Sequence, residues 1–156
     1  MKLLYVSNQR IPTEKAYGLQ IAKMCEAFAD LGHEVELLVP TRRNAIKEDL
    51  FEYYNVQRNF KVIRVFAPDF YLPGKLDRLA FEIKMFLSAF ILAWRAWKGN
   101  YNVIYSRDEW PLWFLSWRLP KGDRKPQLVF EAHKFSKSKN IINRRLKRYQ
   151  LVVITD

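Results

Sequence analysis

Groups that can move protons or bind anions follow apolar runs of this chain. Residues 128–130 are followed by Glu131 and His133, and residues 103–105 are followed by Arg107. A histidine at a strand end can act as acid, base or orienting group, and an arginine binds phosphate or carboxylate oxygens bidentately. We therefore predict that His133 is catalytic and that Arg107 is a fixed cation. The alternatives are a structural histidine and an arginine that pairs with Asp108, Glu109 or Glu131.

Two further polar loops follow apolar runs. Residues 3–6 lead into a polar segment from Asn8 to Lys15, and residues 35–39 lead into Pro-Thr-Arg-Arg at 40–43. Loops are polar in any fold because they lie on the surface. The recurrence of Arg, His and Lys after several apolar runs nevertheless favours an anionic ligand.

The motifs of several common enzyme classes are missing. The first loop has no G-x-G-x-x-G turn and no phosphate-binding loop of the Walker type, so Gly18 stands alone. Gly18 either allows close approach of a ligand or serves packing at the start of a helix. The sequence also lacks a Cys/His cluster with metal-ligand spacing and a G-x-S-x-G elbow. We therefore predict no cofactor and no metal.

The elements that must position these groups alternate between strand and helix. Six apolar runs predict strands, at 3–6, 35–39, 60–66, 103–105, 128–130 and 151–154. Helical spacing predicts helices at 16–31, 76–97, 110–119 and 141–149, with a shorter amphipathic piece at 46–54. This alternation predicts an α/β fold, a Rossmann-like doubly wound parallel sheet in a single domain of three layers. Strand 60–66, which alternates apolar and basic residues, is expected near a sheet edge.

Length allows one domain, and the last predicted strand stops without the helix that would normally follow it. The chain has 156 residues, enough for one domain with a core. Thr155 and Asp156 would suit the start of a further helix. We therefore expect that the chain is truncated after residue 156.

Charge and aromatic residues suggest a partner at a surface. The net charge is +11, and residues 118–156 hold 11 basic and three acidic side chains. Seven of the basic residues lie in 134–148, and Trp110, Trp113, Phe114 and Trp117 share one helical face. Anionic membrane would attract the cations and accept the rings. Alternatively, the rings are core and the charges are a solvated face.

The cellular compartment is predicted from the cysteine content and from the search for signal and membrane-spanning segments. Cys25 is single and lies amid apolar residues, so we expect a core thiol. No signal peptide is visible, and the longest charge-free apolar stretch, at 85–94, is too short to span a bilayer. We expect a cytoplasmic protein that is attached peripherally at the inner membrane face.

Taken in order, several segments resemble family-four glycosyltransferases. The start of that family is matched by three segments: the opening strand at 2–8, the first loop and helix entry at 12–20, and the segment 27–37, which contains Leu-Gly-His-Glu-Val. Its later strand-and-loop signatures are matched at 101–108, 128–133 and 152–155. The resemblance implies that residues 1–156 are the N-terminal, acceptor-side domain of a two-lobed GT-B enzyme, and that the C-terminal, donor-binding domain is missing from this chain. In that family the N-terminal lobe mainly binds the acceptor and the C-terminal lobe binds the nucleotide-diphosphate sugar, usually with retention of configuration and without an essential metal.

By position, the resemblance brings residues of this chain to the cleft between the lobes. The loop from Asn8 to Gly18, including Lys15, would border the acceptor and the donor phosphates, while Arg107 and His133 would face the cleft. Glu131, two residues before His133 and on the same face of the strand end, is a further candidate for binding the acceptor or phosphate. The first loop lacks the Gly-Gly pair of many members, so its backbone contacts to phosphate are not predicted.

The expected function is transfer of a sugar from a nucleotide-diphosphate sugar to a glycan or lipid-linked acceptor at the cytoplasmic membrane face. Two alternatives remain open. One is half of a sugar-nucleotide epimerase with the same architecture. The other is a basic, aromatic module that binds anionic membrane or RNA, although no nucleic-acid motif is present and we expect no nucleic-acid partner.

Overall fold

A computed structural model describes residues 1–70, 73–74, 76–119 and 126–132, and the backbone of 150–153. Its centre is a six-stranded parallel sheet in the order β3-β2-β1-β4-β5-β6. The strands are β1 (Lys2–Val6), β2 (Glu34–Thr41), β3 (Lys61–Phe66), β4 (Val103–Ser106), β5 (Gln127–Ala132) and β6 (Gln150–Val153). This order reverses direction between β1 and β4, where ligands bind in doubly wound folds.

Four helices connect the strands that the structure describes. They are α1 (Ala16–Asp30), α2 (Leu50–Tyr53), α3 (Leu76–Trp97) and α4 (Glu109–Arg118). The amphipathic segment 46–54 is helical only from Leu50, because the Asp49 carboxylate accepts from the Phe51 N–H and caps the helix there. At the end of α1, Gly32 has φ +82°, which favours glycine.

Two apolar layers cover the sheet, one on each face. Leu3 and Tyr5 of β1 pack with the buried residues of α1, and Leu4 and Val6 pack with those of α3 and α4. Alternate residues of a strand point to opposite faces, so one buried strand feeds both cores. The predicted three-layer, single-sheet α/β fold is therefore confirmed.

Most sequence predictions of elements are confirmed. β3 is one of the two edge strands of the described sheet, as its alternation of apolar and basic residues indicates. The Cys25 thiol is fully buried in the α1 core, and burial raises its pKa, so it remains protonated. The last strand runs over Gln150–Val153, one residue earlier than predicted. The predicted helix at 141–149 lies outside the described residues.

Candidate functional site

The carboxyl ends of four neighbouring strands form one edge of the sheet. Val6, the last residue of β1, is level with Leu38 of β2 and Ser106 of β4, and Ser106 is level with Phe130 of β5. Strands in a sheet lie about 4.8 Å apart, so the loops that follow them are within reach of one small ligand. The loops that carry Asn8 and Arg107 therefore share this edge with Glu131, which lies at the end of β5.

The loops after β1 and β4 are joined through Asp108. Its carboxylate accepts hydrogen bonds from the Asn8 N–H at 2.7 Å, the Gln9 side-chain amide at 3.1 Å and the Ser7 hydroxyl at 3.4 Å. Desolvation raises the pKa of Asp108, although these hydrogen bonds and the nearby Arg107 partly oppose the shift. Asp108 therefore fixes the backbone of the first loop relative to β4.

The Asn8 side chain is buried and joins the first loop to α3. Its oxygen accepts from the Ser88 hydroxyl at 2.6 Å and from the Arg42 guanidinium at 3.1 Å, and its amide donates to the Met85 carbonyl at 2.9 Å. Asn8 is only 2% exposed. Its polar atoms thus hold neighbouring elements in place, and a direct ligand contact from Asn8 stays a prediction.

A buried group of charges lies beneath the loop after β2. The Asp69 carboxylate contacts the Lys84 ammonium at 3.1 Å and the Arg42 guanidinium at 3.7 Å, and it accepts from the Arg43 N–H at 2.9 Å. Burial alone would raise the pKa of Asp69, but the Arg43 hydrogen bond and the two cations outweigh burial and lower it. The group therefore places two cations around one ionised carboxylate.

Above these charges lies what we call the basic cleft. It consists of two adjoining hollows of about 340 Å³ and about 330 Å³, which share Arg10, Arg42 and Arg43. Seven basic residues line it, together with one acidic residue, Glu48: Arg10, Lys15, Arg42, Arg43, Lys47, Arg64 and Lys84. Two further carboxylates pair with these cations, Glu14 with Arg10 and Asp69 with Arg42 and Lys84. When they are counted too, seven cations face three carboxylates. The cleft suits an anionic ligand.

Arg107 contacts the first turns of α1 and is not among the residues that line the basic cleft. Its guanidinium donates to the Gln20 side-chain oxygen at 3.1 Å and lies 5.7 Å from the centre of the Tyr17 ring. The Gln20 amide donates in turn to Glu131 at 3.2 Å. Arg107 and Glu131 are thus brought together through Gln20, and Tyr17, which lines the basic cleft, lies between Arg107 and that cleft.

Glu131 is fully buried at the end of β5. Its carboxylate accepts from the Tyr5 hydroxyl at 3.0 Å and is hydrogen-bonded to Tyr105. Burial, followed by the Glu131 charge, raises the pKa of both tyrosines, so both hydroxyls remain protonated donors. A carboxylate held by several neutral donors keeps its position and can orient Gln20.

Gly18 is required for close packing. A Cβ at this position would lie 2.6 Å from the Thr13 methyl group and would overlap the Tyr54 hydroxyl. That hydroxyl accepts from the Thr13 N–H at 2.6 Å and donates to the Thr13 carbonyl at 2.8 Å. Of the two roles that the sequence leaves open, packing is the one for which the structure provides the contacts.

The predicted site residues therefore divide into three groups. Lys15 and Asn8 line the basic cleft, although the Asn8 side chain is hydrogen-bonded internally; Arg107 and Glu131 form one network, and Gly18 makes internal contacts. His133 lies outside the described residues. Sequence reasoning missed Gln20 and Asp69, because neither follows a strand directly and their partners are far away in the chain.

Helices α3 and α4 carry a second surface, which we call the aromatic surface. Its rings contact one another along both helices: Phe86, Phe90, Trp94, Trp97, Trp110, Trp113, Phe114 and Trp117. Trp110 is 54% and Trp117 69% exposed, while Trp113 and Phe114 are half-buried. The Arg118 guanidinium lies 5.6 Å and 5.3 Å from the rings of Trp94 and Trp97. The rings are thus partly core and partly surface.

Two other site types find no support in the part of the chain that the structure describes. Within it, no three His, Cys, Asp or Glu side chains are grouped to hold a metal ion. Among its helices, none combines the length and the apolar character needed to cross a bilayer.

Comparison with known proteins identifies the family. The model of Glycosyltransferase Family 4 matches residues 18–154, which is most of the chain. The chain belongs to this family, as its sequence segments suggested. No curated protein sequence matches it significantly.

A solved structure supports the fold. Sucrose-phosphate synthase from Thermosynechococcus elongatus superposes with a TM-score of 0.56 at 14% identity. The match covers 99% of this chain and 47% of that enzyme, so this chain spans about half the enzyme's length. At 14% identity the match supports the fold only. That fold is the Rossmann-like α/β architecture described above.

Proposed function

We propose that the chain is the acceptor-side domain of a retaining glycosyltransferase, which moves a sugar from a nucleotide-diphosphate sugar to an acceptor at the cytoplasmic membrane face. The observation that carries this proposal is the family match over residues 18–154. The polar groups at the carboxyl edge of the sheet support it, because this is where doubly wound folds bind ligands. A second α/β domain would supply the donor site.

Within this proposal, Arg107 is the cation that faces the reacting sugar phosphate or the acceptor. Its guanidinium is held by Gln20, which Glu131 orients, so little side-chain entropy is lost when a ligand binds. His133 follows Glu131 by two residues and would orient the acceptor or stabilise charge as the glycosidic bond breaks. Lys15, at the start of α1, would neutralise phosphate charge.

Sugar transfer tests the assignment. The purified 156-residue chain is expected to fold but to give no multiple turnover with any nucleotide-diphosphate sugar. In the two-domain enzyme, His133→Ala should lower kcat far more than it lowers the melting temperature, with His33→Ala as the matched control. Multiple turnover by the chain alone would contradict the two-domain proposal. A stability loss without loss of activity would make His133 structural.

Attachment to membrane is part of the same proposal. Trp110 and Trp117 are more than half exposed, and Lys98 and Arg118 lie over neighbouring rings. Tryptophan favours the membrane interface, and cations there attract anionic lipid. The basic residues of 134–148 would add to this attraction.

Vesicle sedimentation tests the attachment. The chain is expected to sediment with vesicles that contain phosphatidylglycerol at low salt, less so at high salt, and weakly with phosphatidylcholine vesicles. Trp110→Ser/Trp117→Ser should reduce binding, while Phe66→Ser, which removes a 79% exposed ring from β3, should not. Equal loss in the Phe66 variant, or binding indifferent to salt, would contradict this part of the proposal.

A further inference from the structure

We infer that a hollow between α3 and α4 holds one acyl chain of an anionic membrane lipid, whose headgroup phosphate pairs with Arg118 and Lys98. This inference rests on the proposed membrane attachment for the source of the lipid, and it adds to that surface a binding site for a single lipid molecule. The α3–α4 hollow lies near Trp97, where α3 ends before β4 begins, and thus away from the carboxyl edge of the sheet. The lipid is therefore an anchor and not the substrate.

The α3–α4 hollow is apolar and large enough for a hydrocarbon chain. Its volume is about 230 Å³, and most of its lining consists of five aromatic rings, those of Phe90, Trp94, Trp97, Phe114 and Trp117. Arg118 is the only lining residue that carries a charge. A methylene group takes up about as much space as a water molecule, roughly 30 Å³, so the hollow has room for about seven or eight of them. Such a lining favours hydrocarbon, because it offers few hydrogen bonds to a sugar or a base.

Two cations at the edge of the hollow rest on its rings. The Arg118 guanidinium lies 5.6 Å from the centre of the Trp94 ring and 5.3 Å from that of Trp97, and the Lys98 ammonium lies 5.2 Å from that of Trp94. Among the described residues, neither cation has an ion-pair or hydrogen-bond partner. Residues 83–107 and 110–119 contain no Asp or Glu. A cation that lies over a ring keeps its N–H donors for an anion, so the hollow suits an amphiphile with a negative headgroup.

The hollow opens onto an exposed apolar face of α3. Ile83, Phe86, Phe90, Trp94 and Trp97 recur at helical spacing and are each 37–49% exposed. This face continues the aromatic surface, which the proposed attachment places against the bilayer. A lipid chain can therefore pass from the bilayer into the hollow without crossing water, and this favours a membrane lipid over a soluble ligand.

Calorimetric titration with monomeric alkyl phosphates measures the hollow without a bilayer. The probes are inorganic phosphate and butyl, hexyl, octyl and dodecyl phosphate, each below its micelle concentration. We expect one site per chain whose affinity rises by up to about fourfold for each added methylene as far as octyl phosphate. Beyond that length the affinity should level off, because the hollow is then full. Monomeric dihexanoyl phosphatidylglycerol should compete for the same site.

The headgroup is tested with probes of the same chain length and with matched variants. Octanol, which is uncharged, and octyltrimethylammonium, which is a cation, should bind about tenfold or more weakly than octyl phosphate. Arg118→Gln/Lys98→Gln should weaken octyl phosphate by about tenfold or more. Arg43→Gln/Lys47→Gln, which removes two exposed cations from the basic cleft, should change its affinity by no more than about twofold.

The chain site is tested at one wall of the hollow. Phe90→Ser removes a half-exposed ring and should weaken octyl phosphate by about tenfold while leaving inorganic phosphate unchanged. Phe66→Ser, which removes an exposed ring from β3, should affect neither. Circular dichroism and the melting temperature verify that each variant is folded, and the exposed Arg118 and Lys98 positions provide a test that does not disturb the core.

Several results would overturn the inference. These are an affinity that does not rise with chain length, equal binding of octyltrimethylammonium, and unchanged binding in Arg118→Gln/Lys98→Gln. Tighter binding of an oligouridylate that is lost in the same variant would assign the surface to nucleic acid instead. Vesicle sedimentation tests the attachment separately. A chain that sediments with vesicles but binds no octyl phosphate would keep the attachment and lose the lipid site, whereas binding without sedimentation would contradict the membrane as the source of the ligand.

Discussion

Substitution of Gly18 by alanine separates a packing role from a ligand role. The new Cβ would lie 2.6 Å from the Thr13 methyl group and 2.9 Å from Tyr54 Cζ, where carbon atoms normally stay about 3.5–4.0 Å apart. Helix propensity favours alanine over glycine by about 1 kcal/mol in a helix interior, and less in a first turn. Overpacking costs about 1–3 kcal/mol, and a displaced Tyr54 loses two hydrogen bonds worth about 1 kcal/mol each. We expect Gly18→Ala to lower the free energy of unfolding by about 2–4 kcal/mol.

The partner variant is Tyr54→Phe, which removes the hydroxyl that a Cβ would overlap. Alone it should cost about 1–3 kcal/mol, because the buried Thr13 N–H loses its acceptor. Together the two changes should cost less than the sum of the single changes, by about 0.5–2 kcal/mol, because the steric conflict is relieved. Tyr53→Phe, with the ring next along the chain, is the matched control and should be additive with Gly18→Ala.

Urea unfolding followed by circular dichroism measures the parent chain, the three single variants and the two double variants, and equal m-values make the free energies comparable. If Gly18→Ala stabilises the chain, or is additive with Tyr54→Phe, the packing argument is refuted. A Gly18→Ala variant of unchanged stability that binds pyrophosphate less well would instead favour close approach of a ligand.

Three further predictions concern the same edge of the sheet. Asn8→Ala should lower the free energy of unfolding by about 2–4 kcal/mol in the same urea assay, because Arg42 and Ser88 lose a buried acceptor. The control is Asn100→Ala at an exposed position, which should change the free energy of unfolding by less than about 0.5 kcal/mol. The pKa of Asp69 is lowered in the fold, so the stability that its ionised form adds is present above its unfolded pKa, about 4, and is lost as pH falls through the folded value; the raised pKa of Asp108 opposes this slope. The melting temperature should therefore fall between about pH 5 and pH 3, less steeply in Asp69→Asn, and a flat profile would refute the assignment. In the two-domain enzyme, Arg107→Lys should lower kcat/KM by about tenfold or more with little change in melting temperature, because an ammonium cannot reproduce the guanidinium fork, and unchanged kinetics would contradict that role.

Much of the fold was readable from local patterns. Short apolar runs predicted all six strands, because a strand buried on both faces has little place for polar residues. The basic residues of β3 indicated an edge, since one side of an edge strand is open to solvent. The start of α2 at Leu50 was less evident, because it depends on a single capping carboxylate, Asp49.

The candidate site was only partly readable. Because parallel strands end at the same edge, the predicted doubly wound sheet indicated that Asn8, Arg107 and His133 emerge at one edge, and His133 lies outside the described residues. Sequence could not tell which of them turns inward. Asn8 contacts Ser88, 80 positions away in the chain, and Glu131 contacts Tyr5, 126 positions away. No local pattern encodes such distant pairs.

The sequence by itself determined the alternation of strands and helices, the family, and the set of loops at the ligand edge. Local hydrophobic period and turn chemistry carry the information on strands, helices and loops, and both act between residues close in the chain. The family followed from the resemblance of the ordered segments. Only the tertiary structure decided that Arg107 reaches Glu131 through Gln20, that Gly18 serves packing against Tyr54, and that seven basic side chains line one cleft. Each of these contacts joins groups that are far apart in the chain. Buried polar groups need partners, and which groups become partners is decided only when the whole chain has folded.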